Sequence, residues 1–287
     1  MRWLVTGAGG TLGHDVVRVL EGAGEEVLAP PRSLLDVTRP DAVDAFVRGR
    51  RPDVVVNCAA YTDVDGAEAE PERAREVNAA APGHLARACA RGSARLVHIS
   101  TDYVFSGRGR STPYAEDCPT DPCSVYALTK RDGEDAVLGT LPDRSVVLRT
   151  SWLYGAHGRS FVGTMAGRAA RGLSSEVVDT QVGQPTWSRD LAERVLWAGR
   201  RADAVGVLHA VNGGRTTWFG LARAVYALAG ADPALVSPCP DDRFPRAADR
   251  PSYSVLGGDR WADWGAAPLR DWSEALAEAL REMVPRP

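Results

Sequence analysis

No apolar run in this chain of 287 residues approaches the length that spans a bilayer, so no membrane partner is expected. Charge of either sign is barely in excess. A net charge of −3 sets up no field that would gather nucleic acid or anionic lipid, and a small anionic ligand would have to be gripped by local arginines. Cysteine is sparse and scattered. Cys58, Cys89, Cys118, Cys123 and Cys239 are odd in number and form no disulfide framework. Cys118 and Cys123 lie close together but lack zinc spacing and histidine partners. All five read as reduced thiols of a cytoplasmic protein. Internal repeats, heptads and low-complexity tracts are absent. The chain opens directly on a strand-like run, Arg2 to Thr6, so no leader peptide is expected. What remains, 44% apolar and 25% charged residues, is the composition of a globular protein with ample core. It suits one large domain or two modest ones.

Trp3 to Thr6 predicts a strand, and Gly7-Ala8-Gly9-Gly10-Thr11-Leu12-Gly13 follows at once. Val16, Val17, Val19 and Leu20 then recur at helical spacing until Gly22 and Gly24. A glycine-rich turn joining a strand to a helix lets the backbone approach a pyrophosphate, and the helix N-terminus faces its charge. The context, more than the glycines alone, points to nucleotide binding. A second strand, Glu26 to Ala29, ends at Pro30-Pro31-Arg32. In this architecture the residue after the second strand meets the adenosine ribose, where an acid favours NAD and a base accommodates the additional phosphate of NADP. Arg32 therefore leans toward NADPH over NADH, with Asp36 at the adenine end; the alternative for Arg32 is a solvated loop residue.

Further strands are expected at Asp53 to Asn57, Leu96 to Ser100, Ser145 to Arg149 and Val207 to Val211. The run Val54-Val55-Val56 is continuous and apolar, as in a parallel strand buried on both faces. Helices are expected at Asp41 to Arg50, Pro71 to Ala90, Ser124 to Leu138, Phe161 to Arg171, Arg189 to Trp197, Trp218 to Ala229 and Ser273 to Val284. This alternation predicts an α/β fold with a doubly wound, mostly parallel Rossmann sheet. The expected division is a dinucleotide-binding domain over 1–151, to which 176–212 returns, and a smaller substrate-binding domain over 152–175 and 213–287. The proline-, aspartate- and arginine-rich stretch Asp232 to Leu256 reads as a ligand-facing loop region.

Chemistry is expected at Ser124-Val-Tyr-Ala-Leu-Thr-Lys130. Tyr126 and Lys130 share a helix face, and an ammonium near a phenol favours its ionisation. The pair thus reads as a proton donor and its tuner, although tyrosine and lysine at this spacing are also common on helix surfaces. A hydroxyl at the C-terminal end of the fourth strand, in Ser100-Thr101-Asp102-Tyr103, lies where open α/β sheets bind ligands.

Taken in order, these motifs resemble the extended short-chain dehydrogenase/reductases, and among them the 4-ketoreductases of nucleotide-linked deoxysugars typified by dTDP-4-dehydrorhamnose reductase. The resemblance rests on Thr6 to Gly13, Pro52 to Asp65 with Ala67-Glu68, Ser100 to Phe105, Tyr126 with Lys130, Arg149 to Gly155, Asp179-Gln181-Gly183-Pro185-Thr186, and Arg250-Pro251-Ser252. It implies NAD(P)H-dependent reduction of a dTDP-linked 4-keto-6-deoxysugar by a monomer or homodimer. Thr101, Tyr126 and Lys130 are the implied catalytic residues, and no catalytic metal is needed. The implied cofactor contacts are Gly7, Gly10, Thr11, Leu12, Arg32, Asp36, Val37, Cys58, Ala59, Ala60, Tyr61, Asn78 and Ser100, joined by Tyr126 and Lys130. Thr62, Asp102, Tyr103, Trp152 and Arg250 are implied on the substrate side. Two departures stand out. Some members bridge subunits through a metal held by glutamates, where this chain has Trp187-Ser188-Arg189. The family's frequent Arg-Arg-Pro reads Asp249-Arg250-Pro251 here. The competing readings are an epimerase or dehydratase that retains NAD through its cycle, and a non-catalytic subunit like the branch that binds methionine adenosyltransferase.

Overall fold

The computed structural model describes residues 1–283. The elements run β1 (Arg2–Thr6), α1 (Thr11–Gly22), β2 (Glu26–Leu28), α2 (Pro40–Arg50), β3 (Val54–Asn57), α3 (Val64–Ala69), α4 (Pro71–Arg75), α5 (Ala81–Arg91), β4 (Arg95–Thr101), α6 (Val125–Thr140) and β5 (Ser145–Thr150). They continue through β6 (Leu153–Tyr154), α7 (Phe161–Ala169), β7 (Ser175–Val178), β8 (Val182–Gly183), β9 (Thr186–Trp187), α8 (Ser188–Arg200), β10 (Gly206–His209), β11 (Thr216–Thr217), α9 (Trp218–Leu228), β12 (Val236–Cys239) and α10 (Trp272–Met283). Val284, the last residue of the expected closing helix, and the rest of 284–287 lie outside the described residues.

Six strands form a parallel sheet in the order β10-β5-β4-β3-β1-β2. Alternate side chains of each strand feed opposite faces. Trp3, Val5, Val54, Val56, Val97, Val146 and Leu148 pack with α1 and α8, whereas Leu4, Val55, Leu96 and Val147 pack with α2, α5 and α6. A sheet buried on both sides has no polar face, which accounts for the unbroken valines of β3. The chain leaves β1 for β2 on one side and returns as β3 on the other. The strand order therefore reverses between β1 and β3, and a crevice opens beyond their carboxyl ends.

A smaller apolar layer lies beside the sheet, built from α7, α9 and α10 with Tyr154, Val177, Trp187 and Val236. Here the boundaries differ from expectation. β7, expected to return to the sheet, pairs instead with β12, and the return begins at α8, which packs on α1. β12 itself falls inside the stretch expected to be loop. Its alternation is obscured because Ser237 and Pro238 are exposed between buried Val236 and Cys239. The expected single helix Pro71 to Ala90 is interrupted by a π-turn, Glu76–Ala80. Among the described residues no helix is long and apolar enough to cross a membrane, and all five cysteines are free.

Candidate active site

A cavity of about 1260 Å³ runs along the crevice from the glycine turn and Arg32, past Thr101, Tyr126 and Lys130, to Trp152 and Trp218. Its floor is made by the absence of side chains. Gly7 has φ +70°, and a Cβ there would lie 2.6 Å from the backbone nitrogen of Ala59. A Cβ on Gly13 would lie 2.2 Å from the Gly7 carbonyl oxygen. Neither glycine tolerates replacement without moving backbone. The N-cap of α1 is Gly10, with no side-chain cap and no acid in the first turn, so its amides stay available to an anionic ligand. A dinucleotide pyrophosphate fits this cradle.

Cys58, Ala59 and Ala60 extend from β3 along the cavity wall, with Thr62 beyond them, and Ser100 faces them from β4. Burial pushes the Cys58 thiol up to about 12, so it is an inert filler there. At the other end Arg32 and Asp36 form an exposed pair at 3.2 Å. Asp36 also accepts from the amide (3.0 Å) and hydroxyl (2.8 Å) of Thr38. Val37 lies beside them on the cavity wall.

The reacting end is set by two elements. β4 delivers Thr101 at its carboxyl end, and the following short turn, Asp102–Val104, carries Asp102 and Tyr103. The Thr101 hydroxyl accepts from the Tyr103 amide (3.2 Å) and donates to one Asp102 oxygen (3.1 Å); the other, Oδ2, is buried with no partner. Burial pushes the Asp102 carboxyl up to about 7. α6 begins at Ser124, whose Oγ caps the Ala127 amide at 3.3 Å. Within the first turn, Tyr126 packs edge-on against Tyr103, with ring centroids 6.0 Å apart. One further turn brings Lys130, 3% exposed, whose Nζ donates to the Ile99 carbonyl at 2.6 Å.

The titration of this pair differs from expectation. Burial pushes the Tyr126 phenol up to about 12, with the neighbouring Thr101 hydroxyl opposing it. Lys130 is itself pulled down to about 8 by burial, with Glu134 opposing. Desolvation, not the neighbouring ammonium, dominates the phenol. A phenol that stays protonated at neutral pH is ready to give a proton to a developing alkoxide. Of the 34 basic residues in the chain, Lys130 is the only lysine. A compact ammonium that can be desolvated is available only from lysine, since arginine is larger and permanently charged.

Three expected ligand contacts lie off the cavity wall. Asn78 is buried in the π-turn. Its amide oxygen accepts from the Tyr61 backbone NH (2.8 Å), and its NH₂ donates to the Tyr61 carbonyl (3.0 Å) and the Thr129 hydroxyl (3.3 Å). It ties the loop after β3 to α6, and the π-turn is what aims it there. Tyr61 turns outward to Glu70, at 2.8 Å. The Arg250 guanidinium is engaged by Asp65 at 2.8 Å and by the Ala248 carbonyl at 2.9 Å.

Trp152 lines the cavity with φ +42°, a left-handed backbone that a bulky residue rarely adopts. Its ring stacks on Trp218 with centroids 3.7 Å apart. A Cβ on Gly183 would lie 2.5 Å from the Trp152 ring, so that glycine is the space the indole occupies. Trp218 and Arg159, both on the cavity wall, were not among the expected site residues. The signal for Trp218 was its place as first residue of a helix capped by Thr217; Arg159, in a loop, offered none.

Residues 1–284 match the family model described as the RmlD substrate binding domain. A protein of Streptomyces antibioticus named probable dTDP-4,6-dihydroxy-2-methyloxan-3-one 4-ketoreductase is 54% identical over 286 residues, 99% of this chain and 96% of that protein. The dTDP-4-dehydrorhamnose reductase of Streptomyces griseus is 49% identical over 289 residues, 99% of this chain and 95% of its own length. The crystal structure of dTDP-4-dehydrorhamnose reductase from Bacillus anthracis in complex with NADP superposes with a TM-score of 0.93 at 33% identity, covering 98% of this chain and 99% of that one.

Proposed function

The chain belongs to the RmlD substrate binding domain family, and from that premise we propose that it is a cytoplasmic oxidoreductase reducing the 4-keto group of a dTDP-linked 4-keto-6-deoxyhexose, with NADPH as reductant. The observation that carries this reading is convergence. Thr101, Tyr126 and Lys130, from two separate elements, share one cavity with the glycine turn that fits a pyrophosphate.

When bound, the nicotinamide supplies the hydride. The chain's own residues do the rest. Tyr126 gives its proton to the oxygen as negative charge develops there, and its raised pKa keeps that proton in place until it is needed. Thr101 holds the same oxygen. Its hydroxyl hydrogen points to Asp102 in the ionised arrangement. A carboxyl titrating near 7 is protonated below that pH and donates to Thr101 instead, freeing the threonine proton for the keto oxygen. Lys130, anchored on the Ile99 carbonyl, places a positive charge behind the phenol and toward the cofactor ribose. Arg32 meets the NADPH 2′-phosphate. Trp152 lies over the sugar end with an apolar face, and two relatives, one named a probable dTDP-linked 4-ketoreductase and one named dTDP-4-dehydrorhamnose reductase, support this substrate class.

The test mixes the protein with NADPH and an enzymatically generated dTDP-4-keto-6-deoxysugar and follows reduced cofactor by absorbance. Stoichiometric consumption over many turnovers is expected. An epimerase or dehydratase would return its cofactor and consume none, as would a regulatory subunit, and no consumption across several 4-keto sugars would overturn the assignment.

A further inference from the structure

A cluster outside this machinery carries metal-ligand chemistry. His14, in the first turns of α1, and His157, in the loop between β6 and α7, stack with ring centroids 3.3 Å apart and planes 25° from parallel. The Asp15 carboxylate joins them: one ligand atom from each of the three lies within 4.8 Å of the others. Among the described residues, His14 Nδ1 is buried without a hydrogen-bond partner. Asp15 is itself buried and held by the Ser188 hydroxyl. The loop is pressed against the helix at two further points. A Cβ on Gly155 would lie 2.1 Å from Ser188 Oγ, and one on Gly158 would lie 2.6 Å from Thr11 Oγ1. None of the three residues lines the reaction cavity.

Two imidazoles at this separation gain little from each other. A buried ring nitrogen without a partner costs about 1–3 kcal/mol. A cation shared with the carboxylate satisfies all three groups once the two rings, stacked nearly parallel, swing their nitrogens toward it. Two nitrogens and one oxygen select a borderline transition ion, whereas Mg²⁺ and Ca²⁺ are bound through oxygens. Three protein ligands leave a position for water. The serine behind Asp15 supplies the outer hydrogen bond that metal carboxylates ordinarily carry.

We propose that His14, Asp15 and His157 form a site for a divalent transition ion of the Zn²⁺ or Co²⁺ class, pinning the 155–159 loop to the first helix. Because none of its ligands lines the reaction cavity, its ion braces the loop and takes no part in the reduction. It ties down Gly158 and Arg159, which line the cofactor end of the cavity together with Thr11 and Leu12.

Protein stripped with a chelator is titrated with CoCl₂ by calorimetry and visible spectroscopy. One equivalent is expected to bind, with the absorption of imidazole-ligated Co²⁺, to be displaced by Zn²⁺, and to be ignored by Mg²⁺. His157→Ala should weaken binding by at least about tenfold, the lower bound seen even for outer partners of a metal ligand. His157 sits in a loop, so this variant tests ligation and not folding, and its circular dichroism should match the wild type. Zn²⁺ should raise the melting temperature of the wild type and not of His157→Ala. No heat, equal affinity in the two proteins, weak binding of several equivalents, or Mg²⁺ binding as tight as Co²⁺ would each overturn the proposal.

Discussion

The two ends of the cavity are built by different means. At the cofactor end the wall is backbone: a left-handed Gly7, a Gly13 with no room for a Cβ, and helix amides left uncapped. At the far end the wall is aromatic side chains. Trp152 adopts a strained left-handed conformation and lies on Trp218, in the space left by Gly183. Between them stands the buried polar group of Thr101, Asp102, Tyr126 and Lys130. The difference is one of tolerance. Backbone contacts fix a ligand common to many enzymes, whereas stacked rings can be exchanged for others and so suit the part of the substrate that varies.

The comparison predicts where changes hurt most. Tyr126→Phe leaves both ends intact and removes the proton. We expect turnover to fall by about 10²–10⁴, the usual worth of a positioned acid, with NADPH affinity unchanged by calorimetry. Unaltered turnover would remove Tyr126 from the mechanism. Next comes Gly13→Ala, which drives a methyl into the Gly7 carbonyl. Overpacking of this kind costs about 1–3 kcal/mol, and NADPH binding should be lost with it. Gly9→Ala meets no protein atom within 4 Å and should be nearly silent in a melting curve.

How much of this was legible depended on whether the signal was local. Glycine spacing, the valines of β3, and Tyr126 with Lys130 four apart on a capped helix are all short-range patterns, and each element formed as read. The substrate end was legible only in part. Trp152 stood in a recognisable motif, but its partner Trp218 lies 66 positions later, and nothing near either residue encodes the stack. Asn78 lies off the cavity wall for a related reason. A π-turn is invisible to a 3.6-residue period, and it turns the amide toward Tyr61 and Thr129 instead of the cavity. The pKa of Tyr126 was misjudged because sequence records a neighbouring charge but not the burial that outweighs it.

Burial also predicts the pH response of the middle region. Asp102, raised to about 7, and Lys130, lowered to about 8, both lose protons on the alkaline side. Activity measured as kcat/KM should therefore decline above neutrality, by up to about tenfold per unit between about pH 7 and 8, and approach about a hundredfold per unit well above pH 8, where both protonated groups are titrated away. Stability responds with opposite signs. The folded protein holds the Asp102 proton that the unfolded chain has released, so this group's contribution falls as pH rises from about 4 to 7. Lys130 releases its proton earlier when folded, so its contribution rises from about pH 8 to 10.5. Because Lys130 is the sole lysine, amine labelling against pH reads its titration alone once the N-terminus is blocked. A midpoint near 10.5 would contradict the desolvated ammonium.

Arg32 tests the outer rim of the cofactor end. Its side chain is 68% exposed and, among the described residues, paired only with Asp36, so its removal should leave the fold unaltered. Loss of one charge-assisted phosphate contact, worth about 1.5–3 kcal/mol, should weaken NADPH by roughly tenfold or more while NADH is little affected. Equal effects on both cofactors would place the 2′-phosphate elsewhere.

The smallest effect is expected at the aromatic end, and it separates the two walls most directly. Trp218→Ala removes a stacking partner, not a ligand. An aromatic pair contributes about 0.5–1.5 kcal/mol beyond its buried area, so KM for the sugar nucleotide should rise by only about two- to tenfold. NADPH affinity should not move, because Trp218 lies at the opposite end of the cavity from the glycine turn. Trp218→Phe keeps a flat ring under Trp152 and should recover most of the loss. If Trp218→Ala raised both KM values together, the tryptophans would be bracing the whole cavity. The division of labour between a backbone wall and an aromatic wall would then be wrong.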